Sequence, residues 1–526
     1  MKVKLNTTNQ DHITYKHTPM DIAVLGGIRL EGLDRMRVTL KVQVEHLSLR
    51  HNLDLYNDNQ TEKLIRKIAE RLEIGTSVAA SALTDLTDEL EKYRLEELER
   101  QTSKEDKRKL LSTEEIKVAQ QYLKAPNLMA RTMEDIGRSG VIGEADNRLL
   151  MYLIFTSRKR DNPLHVISLG SSGIGKTHLQ EKVSALIPEE GKLEITTLSG
   201  NAFYYFGQQE LKNKLILIED LDGADEVLYP LREIKSKRQV TKTVVIKNTK
   251  GETRTVTLKV EGPVCVSGCT TKESLYEDNA NRSFLIYIDE SKEQDQKIMA
   301  YQRTESAGEI DKMEEQKIVE QFQNMQRILQ PISIRNPYAR QLQIPEEVFK
   351  PRRTNAHYLA FIEAVTFYHQ YQREPKADSQ TGEAYIETTL EDIEEANSLL
   401  KNVLIQKSDE LSGACRSYFE RLKNWMQETK KETFTIPEAM RRMRIKETTI
   451  RRYHRDLTLS ALLRYEQIKG EKTHYYQIIS YADYQELKER ISTVLDKKLT
   501  EIENATIRQS SATHKMADQT NRKSKS

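Results

Sequence analysis

Gly170-Ser171-Ser172-Gly173-Ile174-Gly175-Lys176-Thr177 has the spacing G-x-x-x-x-G-K-[ST]. Each part has a physical purpose. The glycines let backbone N–H groups wrap a phosphate chain, Lys176 supplies a point charge to the β- and γ-oxygens, and the Thr177 hydroxyl is placed to ligate Mg²⁺. Such a loop needs a strand before it and a helix after it, whose N-terminus faces the anion. His165-Val-Ile-Ser-Leu169 reads as that strand, and the residues from His178 to Leu186 are compatible with that helix.

Outward from the loop, short apolar runs recur: Leu215-Ile-Leu-Ile218, Val264-Cys-Val-Ser267 and Phe284-Leu-Ile-Tyr-Ile288. Bounded by turns and alternating with helical stretches, they predict buried parallel strands of an α/β sheet. The second run ends in Glu219-Asp220. Acids at the carboxyl end of a strand beside a phosphate loop reach the bound metal and the attacking water. Glu219 as ligand and Asp220 as base, or the reverse, both fit, and Asp222 is a third candidate. Between the second and third runs, the stretches from Thr241 to Lys247 and from Thr253 to Val260 flank Asn248-Thr-Lys-Gly251, the pattern of an inserted β-hairpin.

At 526 residues the chain is long enough for about three domains. Its 82 Lys and Arg nearly balance 80 Asp and Glu, so any basic surface is local. Three cysteines, Cys265, Cys269 and Cys415, exclude a disulfide framework. With no apolar membrane span and no apolar stretch near Met1, the reading is cytoplasmic and not membrane-bound.

Together these residues resemble AAA+ ATPases with a hairpin before sensor 1, the group of minichromosome-maintenance helicases and superfamily-three viral helicases. They resemble more closely the ATPase portion of primase–helicase proteins of bacterial mobile elements. The resemblance covers residues 30–375. It rests on the loop, on Leu215–Asp220 and the hairpin, on Gly262-Pro-Val-Cys-Val-Ser-Gly-Cys-Thr-Thr271 and Asn281-Arg-Ser-Phe-Leu-Ile-Tyr-Ile-Asp289, and on the stretch from Arg352 to Arg373. It implies ATP and Mg²⁺ as cofactors, sensor 1 at Thr270 (or Thr271), an arginine finger at Arg282, and sensor 2 at Arg353. It also implies a ring, a homo-hexamer, in which the finger acts on a neighbour's γ-phosphate. The N-terminal region has no cysteine for a zinc finger and no carboxylate constellation for nucleotidyl transfer, so a separate polypeptide would supply any primase.

The expected architecture is an α/β AAA+ core with a helical lid, an α+β N-terminal domain and a C-terminal winged helix. The boundaries are 1–109 for the N-terminal domain, 110–290 for the core with its hairpin at 235–260, and 291–375 for the lid. A connector at 376–429, the winged helix at 430–498 and a disordered tail at 499–526 complete the chain.

Two segments have the charge to hold DNA. Residues 235–260 carry eight Lys and Arg against one acid, with Lys247, Lys250 and Arg254 near the hairpin tip, suited to a single strand in a ring channel. Residues 430–480 carry twelve against six, and Arg451, Arg452 and Arg455 lie on a recognition-like helix suited to duplex. The expected function is a ring-forming, ATP-hydrolysing DNA helicase or translocase in mobile-element replication. The alternative is a DNA-bound loader, initiator or defence-type switch with little unwinding, and behind it stands a protein-remodelling ATPase.

Overall fold

The computed structural model describes residues 5–9, 11–28, 35–102, 109–196, 202–247, 253–271, 282–467 and 473–523. The chain divides into two units: Met1–Arg108 with Thr241–Val260, and Lys109–Val240 with Glu261–Ser526.

In the first unit, five antiparallel strands lie side by side in chain order: Leu5–Asn6, His12–His17, Met20–Leu25, Arg37–Val44 and Leu47–Asp54. Alternation along Arg37–Val44 buries Val38, Leu40 and Val42 and turns the polar residues outward. Helices Asp58–Leu72 and Thr76–Thr102 cover the apolar face, the first through Leu64, Ile68 and Leu72 at fourfold spacing. Asn57 caps the first helix by accepting the Gln60 N–H. The sequence reading counts the hairpin with the α/β core. Its strands, Gln239–Lys247 and Thr253–Glu261, pair as a separate two-stranded sheet, and Thr241–Val260 groups with the first unit.

The second unit is built on a parallel sheet of β1 (Val166–Leu169), β2 (Lys192–Ile195), β3 (Lys214–Ile218), β4 (Val264–Thr270) and β5 (Phe284–Tyr287), in the order β5-β1-β4-β3-β2. All of β1 and β4 is buried, which explains their continuous apolar reading. Helix α1 (Ala145–Thr156) is buried from Leu149 to Thr156. The phosphate-loop helix α2 (Lys176–Ser184) follows β1, and α3 (Asp225–Lys237) follows β3. Lys235 and Lys237 lie on α3 and Arg238 caps it, so three of the eight cations assigned to the hairpin segment belong to a helix.

Helices Lys292–Ser306 and Lys312–Ile328 precede α4 (Pro351–Tyr368) and α5 (Leu390–Ser408). A small sheet joins Ser333–Arg335, Lys376–Ala377 and Ala384–Glu387. A separate apolar cluster then holds α6 (Gly413–Thr429), α7 (Ile436–Met443), α8 (Glu447–Leu459) and the hairpin Leu463–Gln467 with His474–Ile478. The final helix, α9 (Asp483–Lys523), corrects the expectation of a disordered tail from residue 499. Leu487, Ile491, Leu495, Leu499 and Ile502 keep a helical stripe against the core past that point. All three cysteines are buried thiols that form no disulfide. Among the described residues, no helix is long and apolar enough to cross a membrane.

Candidate nucleotide site

The sheet register gathers the predicted residues at one edge. Thr270 pairs with Leu169, Tyr287 with Leu169, and Gly268 with Ile218. The loop from Gly170, the acids from Glu219 and the threonines Thr270 and Thr271 therefore all leave the sheet at its carboxyl edge, where ligands of parallel sheets bind. Gly173 and Gly175 hold φ of 83° and 94°, a region that disfavours other residues. Ser171, Ser172 and Gly173 are exposed and Ile174 is half-buried. Lys176, 8% exposed, folds its ammonium over the loop and donates to the carbonyls of Gly170 (2.8 Å) and Ser171 (2.6 Å). The Ser171 N–H donates to Glu290 Oε1 at 3.2 Å, a contact the sequence gives no means to foresee.

Gln180, buried on α2, locks this geometry. Its Oε1 accepts the Ser267 hydroxyl at 2.7 Å and its Nε2 donates to the Ile218 carbonyl at 3.3 Å, tying α2 to both β4 and β3. Thr177 bonds Cys269, whose thiol burial pushes up to about 12, so that it stays neutral.

Glu219 and Asp220 are exposed at the end of β3. Asp220 Oδ1 accepts the Asp222 N–H at 2.8 Å, capping the turn Leu221–Gly223. Asp222 is the residue whose place sequence reasoning left undetermined. Its carboxylate accepts the Thr270 hydroxyl (2.6 Å), the Thr271 hydroxyl (2.8 Å) and the Thr271 N–H (3.2 Å). Both sensor 1 candidates are therefore bound to the same acidic turn.

Arg282 and Arg353 are elsewhere. Phe284 opens β5 opposite Val166, and Arg282, two residues earlier, donates to the Ser236 hydroxyl. Arg353 is exposed in the first turn of α4, one turn before His357, which stacks on Phe284 with ring centroids 5.3 Å apart. Arg282 thus lies at the amino end of β5 and Arg353 near it through His357 and Phe284, whereas the phosphate loop leaves the carboxyl end of β1.

Of the predicted DNA contacts, Lys247 and Arg254 lie on the hairpin strands, with side chains outside the described residues, and Lys250 is wholly outside them. Arg451, Arg452 and Arg455 are exposed on α8, while Ile450, Tyr453, His454 and Leu457 bury its other face. Arg451 pairs with Glu447 at 2.6 Å and Arg455 with Asp456 at 3.3 Å, and the Arg452 guanidinium lies over the Tyr453 ring, 5.2 Å from its centroid.

Residues 113–331 match the family model described as the MTBMA_p00010 P-loop domain. Comparison with curated proteins finds no match. Among solved structures, the chain is similar to a full-length MCM homolog from Methanopyrus kandleri, at 11% identity and TM-score 0.29, over 77% of this chain and 76% of that one. It is similar to the apo C-terminal region of NrS-1, at 12% identity and TM-score 0.22, over 71% and 77%. A third similar structure is Drosophila ORC bound to DNA, at 12% identity and TM-score 0.19, over 74% and 96%.

Proposed function

We propose that the chain is an ATP-hydrolysing AAA+ motor that assembles head to tail as a homo-hexameric ring and translocates on or unwinds DNA in the replication of a mobile genetic element. The observation that carries this reading is the separation of the phosphate loop from Arg282 and Arg353. A head-to-tail contact sets the amino edge of one sheet against the carboxyl edge of the next, and closing that contact makes a ring. Each nucleotide then receives loop, acids and Thr270 from one copy and arginines from its neighbour.

The loop fits a nucleotide triphosphate. Gly173 and Gly175 hold left-handed backbone just before α2, whose N-terminal N–H groups are suited to an anion, and the Lys176 ammonium already lies over the loop. Thr177, Glu219 and Asp220 offer the oxygen donors that hold Mg²⁺, which draws charge from the phosphate oxygens when bound. With Asp222 engaged by the threonines, Glu219 and Asp220 are the carboxylates open to metal and water. Thr270 bears on the γ-phosphate through its link to this turn. The exposed arginines of α8, within a helix–turn–helix and hairpin arrangement of winged-helix type, supply duplex contacts, and the basic hairpin supplies single-strand contacts.

The test is ATP hydrolysis and forked-duplex unwinding by the purified chain, with and without single-stranded DNA. The reading predicts hydrolysis stimulated by the single strand, together with strand displacement. Stimulated hydrolysis without displacement moves the role to a loader or initiator, and absence of hydrolysis overturns it.

A further inference from the structure

Past β5 the chain runs on to the phosphate loop. Tyr287 pairs with Leu169, and the Ile288 N–H still donates to the Leu169 carbonyl at 3.3 Å, so Glu290 emerges beside Gly170 and Ser171. Short-range contacts fix this segment. The Asp289 N–H donates to Glu144 Oε1 at 2.7 Å, which ties it to the residue that precedes α1. Asp289 Oδ1 accepts the Ser291 N–H at 2.8 Å. The Ser291 hydroxyl then caps the helix Lys292–Ser306 by accepting the Gln294 N–H at 3.2 Å. Glu290 is exposed, but it projects from backbone that is held on both sides.

Glu290 Oε1 accepts the Ser171 N–H at 3.2 Å. That N–H belongs to the same peptide unit as the Gly170 carbonyl, which accepts from the Lys176 ammonium at 2.8 Å. One peptide plane thus has a carboxylate at its donor end and an ammonium at its acceptor end. Both bonds are charge-assisted, and bonds in such a chain polarise and strengthen one another. The ammonium's second bond, to the Ser171 carbonyl at 2.6 Å, falls on the same residue that Glu290 holds. Among the described residues no ion pair joins Glu290 to Lys176 directly, so the peptide is their link.

A lysine side chain loses much rotamer freedom when it is fixed. Fixing it within the folded chain removes that cost from ligand binding. The carboxylate also repels an anion. Because Glu290 is exposed, water and salt screen that repulsion, whereas its hydrogen bond acts locally.

We propose that Glu290 is a positioning residue for ATP binding, which through the Gly170–Ser171 peptide holds the Lys176 ammonium over the phosphate loop. The proposal deepens the nucleotide-site reading and rests on it for the ligand, while the tether between Glu290 and Lys176 stands without it.

The experiment compares the full-length native protein with Glu290→Ala and Glu290→Gln. The first arm, without nucleotide, follows labelling of the Lys176 amine by a small acylating reagent, read by peptide mass spectrometry. Glu290→Ala is expected to label about threefold faster, because the relay through the peptide is lost. Glu290→Gln keeps an acceptor in the same place and is expected to label close to the native rate. Equal rates in all three proteins overturn the tether.

The second arm measures affinity for a fluorescent ATP analogue with Mg²⁺, and steady-state hydrolysis. Glu290→Ala is expected to bind about tenfold more weakly, as loss of a charge-assisted hydrogen bond implies, with KM raised and kcat little changed. Glu290→Gln is expected to stay close to native affinity, since it keeps the acceptor and sheds the repulsion. Native affinity in Glu290→Ala, or a loss as large in Glu290→Gln, overturns the positioning role. Tighter binding by both variants also overturns it and makes the carboxylate a repulsive gate. An analogue that binds none of the three proteins, with labelling as expected, removes the role in ATP binding together with the nucleotide reading and leaves only the tether.

Discussion

The Asp222 carboxylate accepts the Thr270 hydroxyl at 2.6 Å, joining the end of β4 to the turn that carries Glu219 and Asp220. In the proposed reading this bond couples the strand that would sense the γ-phosphate to the acids that would act on it. Asp222→Asn removes the charge and one acceptor shared with Thr271. Turnover is expected to fall about tenfold with KM little changed, as the loss of a charge-assisted hydrogen bond implies. Steady-state hydrolysis checks this, and a rise in KM at constant kcat would assign Asp222 to nucleotide binding instead.

Lys176→Ala is expected to abolish hydrolysis and leave the fold intact, because the ammonium donates to two loop carbonyls that solvent can serve in its absence. The pair Glu219→Gln with Asp220→Asn is expected to bind ATP and not turn it over. Nucleotide binding by fluorescence and hydrolysis by phosphate release separate the two effects.

Glu395 predicts a pH dependence of stability. Burial raises its carboxyl to about 7, Asp392 and Glu391 add to the effect, and His369 and Arg373 oppose it. A raised folded-state value means that the native state holds this proton where the unfolded chain has lost it. Stability therefore falls as pH rises from about 4.5 toward 7 and levels off above. Glu395→Gln, which never ionises, is expected to raise the melting temperature at pH 8 relative to the native chain, with the gap closing near pH 4. Thermal unfolding of both proteins at the two values checks the sign.

On α8, replacing Arg451, Arg452 and Arg455 with Ala is expected to weaken duplex binding. It should also flatten the salt dependence by roughly 0.9 log unit for each phosphate that is no longer neutralised. Glu447 engages Arg451 at 2.6 Å, so Glu447→Gln is expected to tighten duplex binding at low salt. A salt titration of DNA affinity for each variant measures both.

Fully buried strands were legible because burial on both faces writes a continuous apolar run, as in Val166–Leu169 and in Leu215-Ile-Leu-Ile218. The edge strand Lys192–Ile195 was not, since only Ile195 is buried and two of its four residues are charged. Sequence adjacency placed Glu219 and Asp220, yet gave no sign that Asp222 meets Thr270 48 residues away. Charge counting along the chain merged Lys235 with the hairpin. Its ammonium instead points into the α/β unit, because a helix of 13 residues ends between the two. The tail reads as disordered from its polar composition, but Leu499 and Ile502 continue the buried stripe of α9 at a spacing too sparse to register as apolar sequence.

The claim that each nucleotide site is completed by two copies is tested most directly by mixing Arg282→Ala protein with Lys176→Ala protein. Each alone lacks one half of every site. Mixed interfaces that pair the intact loop of one with the intact arginine of the other are expected to recover part of the hydrolysis rate, with a maximum at intermediate ratios. No recovery at any ratio, together with a monomeric mass in ATP, would contradict the account.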